Sequence, residues 1–144
     1  MREIKFRVWH KKENRWLDPW AEEDPMLCLK DFGRGCEVYL YDRQSKGWTN
    51  KDCQMDDVVI QQYTGLKDKN GVEIYEGDII DNHEEYHNKK VVNYDPHSCF
   101  YCLIDLDEYP NTLYNGEMFN QAGEGSNFSG RIEVIGNIFK GVDK

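Results

Sequence analysis

Two histidines stand four residues apart with a glutamate after the first, in His83-Glu84-Glu85-Tyr86-His87. On a helix this spacing puts both imidazoles on one face, where they bind zinc while the glutamate serves as general base of a hydrolase. The flanks oppose that chemistry. About eight residues separate Ile80 from the apolar run beginning near Lys89, too few for a helix that holds both rings rigid. A polar hairpin loop is the expected identity, and the downstream carboxylates that could complete a metal site, Glu108, Glu117 and Glu124, sit in a chain where acidic residues are abundant.

His97-Ser98-Cys99-Phe100-Tyr101-Cys102 sets a histidine beside a C-x-x-C pair, a pattern able to ligate a metal or carry a redox dithiol. The same run, continued by Leu103-Ile104, reads as a buried strand that points Cys99 and Cys102 to opposite faces, which defeats chelation. Cys28, Cys36 and Cys53 offer no second ligand pair at matching spacing. Asp68-Lys69-Asn70-Gly71 echoes a calcium loop. Aligned on its glycine, however, it puts Leu66 and Gly77 where carboxylates are required. No cofactor or metal is therefore expected. Asp105, Asp107, Glu108 and Glu22-Glu23-Asp24 lack a partnering base and read as solvated loops.

One surface retains recognition chemistry. Lys5, Arg7 and Trp9 alternate on a predicted strand face, with Lys11, Lys12, Arg15 and Trp16 beside them. Such interleaved basic and aromatic groups suit nucleic acid or an acidic partner. Residues 1–17 hold six cations against two carboxylates, a surplus of +4 in a chain of net charge −9. The remaining −13 repels a phosphate backbone, so a protein partner or a second copy ranks ahead of nucleic acid.

The elements that position these residues are short strands. Ile4, Phe6 and Val8 alternate with polar neighbours, His10–Asn14 supplies a turn, and Arg15-Trp16-Leu17 returns, forming an N-terminal hairpin over 3–17. Further strands are expected at Met26–Lys30, Glu37–Tyr41, Val58–Tyr63, Lys89–Asp95, Cys99–Leu106 and Arg131–Phe139, with one helical turn within Asn50–Asp57. Asn70-Gly71 predicts a two-residue type I′ hairpin turn, which needs positive φ at both positions. Gly116–Gly130, with four glycines, reads as an excursion before the closing strand. The fold class is mainly β, or α+β with little helix: a small barrel-like or sandwich domain.

At 144 residues one domain is the default. Five irregularly spaced cysteines fit reduced thiols, and no apolar segment marks a secretory signal or membrane span, so a cytoplasmic location is expected and the sequon Asn127-Phe128-Ser129 is idle.

The run Tyr63–Ile80, containing Thr64-Gly65-Leu66-Lys67-Asp68, Asn70-Gly71 and Tyr75-Glu76-Gly77-Asp78, resembles the central signature of the YopX family of phage and prophage proteins. Ile4–Trp9 is similar to the family's opening strand and Glu133–Phe139 to its closing motif, so the resemblance spans nearly the whole chain and makes 1–144 one domain of that kind. It implies a phage or prophage origin, a compact β-containing fold, homo-oligomers, and no catalytic residues to carry over. The expected function is that of a non-catalytic accessory protein that binds a protein or itself. Nucleic-acid binding through Lys5, Arg7, Trp9, Lys11, Lys12 and Arg15, or zinc-dependent hydrolysis through His83, Glu84 and His87, are the alternatives.

Overall fold

A computed structural model describes residues 3–18, 21, 24, 26–31, 36–41, 46, 55–81, 89–97, 99–110, 117–118 and 131–142. The regular elements among them are strands apart from one 3-10 turn at Met55–Asp57, in keeping with the mainly β expectation. Contacts gather into two compact units, Phe6–Gln61 and Met1–Lys5 with Gln62–Lys144.

In the Phe6–Gln61 unit, β1 (Phe6–His10) and β2 (Arg15–Leu17) form the N-terminal hairpin, pairing Val8 with Leu17, Trp9 with Trp16 and His10 with Arg15. Its turn carries Asn14 at φ 53°, a left-handed conformation that asparagine tolerates. β3 (Met26–Asp31) and β4 (Cys36–Tyr41) make a second antiparallel hairpin, and the first residues of β5 (Val58–Lys67) lie beside β1. Val8, Leu17, Leu40 and Val58 are buried together, which explains why two short hairpins hold: each strand lends an apolar face to a shared core.

The larger unit takes the rest of β5, then β6 (Glu73–Tyr75), β7 (Asp78–Asp81), β8 (Lys89–Asp95), β9 (Phe100–Asp105), β10 (Glu117–Met118), β11 (Glu133–Asn137) and β12 (Gly141–Val142). A six-stranded sheet runs in the order β10-β9-β8-β7-β11-β12. Its two sides are both apolar. Ile80, Val92, Tyr101 and Leu103 pack with Ile74 and Ile132 in one cluster, while Ile79, Val91 and Ile135 pack with Leu106, Tyr109 and Ile138 in another. Runs such as Ile79-Ile80 and Val91-Val92 are continuous for this reason, since each neighbour pair supplies both faces.

Two sequence expectations are corrected. Gly71 has φ 82°, but Asn70 does not have positive φ, so the turn is not type I′. The Gly71 amide bonds the Asp68 carbonyl at 3.0 Å and the Asp68 amide bonds the Val72 carbonyl at 2.8 Å, giving a three-residue loop that ends on a left-handed glycine. The strand expected to end at Tyr63 runs on to Lys67, with its register against β6 shifting between Tyr63 and Lys67 around Gly65 at φ 90°.

Candidate functional site

The basic N-terminal residues are engaged within their own units. Arg7 stacks over the Trp16 ring, 4.4 Å from its centroid, and donates through Nε to Gln61 Oε1 at 2.9 Å. Trp9 does share that face with Arg7, yet it is 2% exposed and packs edge-on against Trp16 at 4.9 Å. It is core, where the sequence placed it on a recognition surface. Burial of Val8, Trp9 and His10 in succession shows that β1 is covered on both faces, which a period-2 pattern does not foresee.

Arg15 grips Asp24 through both terminal nitrogens, at 2.9 and 2.6 Å, and its Nε reaches Glu13 at 2.6 Å. Arg15 and the Asp18 amide hold the Asp24 carboxyl below its usual range. Lys12 pairs with Asp57 at 2.8 Å and Lys11 donates to the Asp56 carbonyl at 2.6 Å. In the larger unit, Lys5 bridges Glu73 at 2.6 Å and Glu3 at 3.2 Å, above the Tyr63 ring. Arg15, whose three contacting nitrogens go to Asp24 and Glu13, is the most fully engaged of these cations, whereas Lys12 is 70% exposed in its pair with Asp57.

His83, Glu84 and His87 lie outside the described residues, as do Glu124 and Ser98, and no group of three metal-ligating side chains occurs among those described. Cys99 departs from the expected strand. It sits exposed in the β8–β9 turn at φ 56°, its thiol 3.6 Å from the Pro96 carbonyl, while Cys102 is buried in β9 and burial pushes its thiol up, away from the reactive thiolate.

The segment Tyr63–Ile80 is built of backbone-binding side chains. Asp68 is buried, with Oδ1 accepting from the Asn70 and Val72 amides at 2.8 and 2.9 Å and Oδ2 from the Val134 amide at 3.1 Å. Asp78, 1% exposed, accepts from the Tyr75 amide at 2.8 Å and from Asn137 Nδ2 at 3.1 Å, and Asn137 Oδ1 in turn receives the Phe139 amide. Gly77, at φ 74°, donates to the Val92 carbonyl and accepts from the Ile138 amide. At Gly136 a Cβ would lie 2.1 Å from the Gly141 carbonyl oxygen, so only glycine lets β12 approach.

Beside this framework opens a cleft of about 440 Å³. Gln62, Thr64 and Leu66 of the bulged strand form one wall, and Tyr94, Phe100 and Tyr101 of the β8–β9 hairpin the other. Tyr94 and Tyr101 face each other in register, ring centroids 5.4 Å apart in an edge arrangement. Glu76 adjoins it, accepting from the Gln62 amide at 2.9 Å, and burial raises its pKa. The Tyr94 hydroxyl is likewise raised, first by desolvation, then by the Cys99 thiol and the carboxylates Glu76 and Asp95. Sequence reading missed this cleft: the limits it foresaw for the two strands, Asp95 and Cys99, would set Tyr94 opposite Phe100, one residue out of the observed register.

A family model described as YopX protein matches residues 5–141. The chain is also similar to the crystal structure of protein EF1440 from Enterococcus faecalis, at 25% identity and a TM-score of 0.51, over 96% of this chain and 95% of that one. No curated protein matches it.

Proposed function

This chain belongs to the YopX family, and we propose that it serves a phage or prophage as a non-catalytic accessory protein, binding another protein or further copies of itself in the host cytoplasm. The observation that carries this reading is the employment of the signature's polar groups. Asp68 and Asp78 bind backbone amides and a side-chain amide within one unit, so the carboxylates of the signature are engaged in holding the fold. The acidic balance of −9 favours protein partners over phosphate backbones, and the pairing of Lys5, Lys12 and Arg15 with carboxylates weighs against a nucleic-acid role for the N-terminal residues.

Affinity capture from lysogenic or infected cells, beside sedimentation velocity of the purified chain, tests the proposal. The expected result is a stoichiometric co-purifying protein or a concentration-dependent oligomer. A monomer that retains no protein overturns it. A low-salt gel shift with DNA or RNA, abolished by Lys5→Glu with Arg7→Glu, would move the assignment to nucleic acid.

A further inference from the structure

The cleft between the β5 bulge and the β8–β9 hairpin combines shape, aromatic lining and charge. Three aromatic rings form one wall, and Tyr94 stands 38% exposed at its rim, part of its ring open to solvent. A volume of about 440 Å³ falls within the range of roughly 300–1,000 Å³ typical of ligand clefts. Gly65, at φ 90°, turns the opposite wall aside without a side chain of its own.

The electrostatics have one sign. Glu76 feels burial and the Gln62 amide, and no described basic side chain is among the groups acting on it. Asp95 and Glu76 both bear on the Tyr94 hydroxyl. Lys5, by contrast, is committed to Glu73 and Glu3. A half-buried carboxylate with no cation on it among the described residues, hydrogen-bonded to Gln62 of the cleft wall, is complementary to a delocalised cation: guanidinium is weakly hydrated, stacks on rings and pairs with carboxylates.

We propose that this cleft takes an arginine side chain presented by a partner protein, stacked against Tyr94 and its neighbouring rings and neutralised by Glu76. The inference deepens the protein-binding reading and rests on it. It supplies the chemistry of the partner, a basic segment whose arginine inserts while its backbone passes Gln62 and Thr64.

The test is an amide-detected NMR titration of the isotopically labelled full chain with the peptide acetyl-Gly-Arg-Gly-Arg-Gly-amide, and with versions carrying glutamine or lysine in place of arginine. Shifts confined to Gln62, Gly65, Tyr94 and Tyr101 are expected with arginine, weaker ones with lysine and none with glutamine. Tyr94→Ala and Glu76→Gln should each weaken binding by roughly tenfold, the scale of losing one ring or one charge from such a site. Both variants should fold, because Tyr94 lies at the surface and the Glu76→Gln side chain keeps a carbonyl oxygen that can accept from the Gln62 amide. Absence of saturable shifts, or binding indifferent to both variants, overturns the inference. A partner captured equally well by Tyr94→Ala refutes the cleft and leaves the accessory role standing. Arginine binding at the cleft, with no partner and no self-association found, preserves the cleft and refutes that role.

Discussion

Asp68 offers the sharpest test of whether the Tyr63–Ile80 segment is scaffold. Asp68 is 6% exposed, and its carboxylate collects three amide donors, two from its own turn and one from Val134, 66 residues away. Hydrogen bonds to a charged acceptor contribute about 1.5–3 kcal/mol and neutral ones about 0.5–1.5. The Asn70 and Val72 amides belong to exposed turn residues and regain water when the carboxylate goes, so each loss costs about 0.5–1 kcal/mol. The Val134 amide belongs to β11, turns its donor to the buried Asp68 rather than to a neighbouring strand, and costs about 1.5–2 kcal/mol. Asp68→Ala should therefore destabilise by about 3 kcal/mol. Asp68→Asn keeps an oxygen for the turn but aims an NH2 group at the Val134 amide, for a loss of about 1.5–2 kcal/mol. All four tryptophans fall within Phe6–Gln61, so their fluorescence reports the other unit. The measurement should instead be urea unfolding followed by hydrogen exchange at the Val134 and Ile80 amides. A change within about 0.5 kcal/mol for alanine, or an asparagine variant as unstable as the alanine one, would refute the reasoning.

Two further perturbations probe the same unit. Gly136→Ala drives a methyl into the Gly141 carbonyl and should detach β12, costing about 2–4 kcal/mol from two lost pairings and the exposure of Val142, with exchange at residues 141–142 becoming fast; unchanged protection there would contradict the close approach. Glu76→Gln should raise the melting temperature at pH 7. Burial raises the Glu76 pKa above its unfolded value of 4.5, so ionisation works against the fold as pH rises through the folded value, and the advantage of glutamine should vanish below 4.5. Equal melting temperatures at neutral pH would show that the carboxylate is not desolvated.

Strand identity is legible wherever one face alternates or both are apolar. Arg15–Leu17 and Lys89–Asp95 form with the limits expected from their patterns, and the helical turn sought within Asn50–Asp57 survives as Met55–Asp57. Illegible features depend on partners distant in the chain. Nothing near Asp68 announces Val134, and nothing near Trp9 announces that its strand would be covered on both sides. The sign of φ at Asn70 escapes a local reading because Asn-Gly serves several turn types, and the longer loop is chosen by the Asp68 side chain binding the amides ahead of it. The cleft is hidden for the same reason: its walls come from β5 and from the β8–β9 hairpin, and only register brings Tyr94 to Tyr101.

A motif can identify a family through residues that build its fold. Here the signature and the closing motif meet in one network: Asp68 holds β11, Asp78 holds Asn137, and Gly77 joins β8 to the turn after β11. Every residue in that network is constrained by backbone geometry, so substitution there costs stability before it can alter recognition. The Tyr94 side chain at the cleft's rim carries no such constraint, since it is 38% exposed. Substitution at Tyr94 should therefore leave the fold held by Asp68, Gly77 and Asp78 intact and, on the proposal that the cleft takes an arginine, alter recognition at no cost in stability.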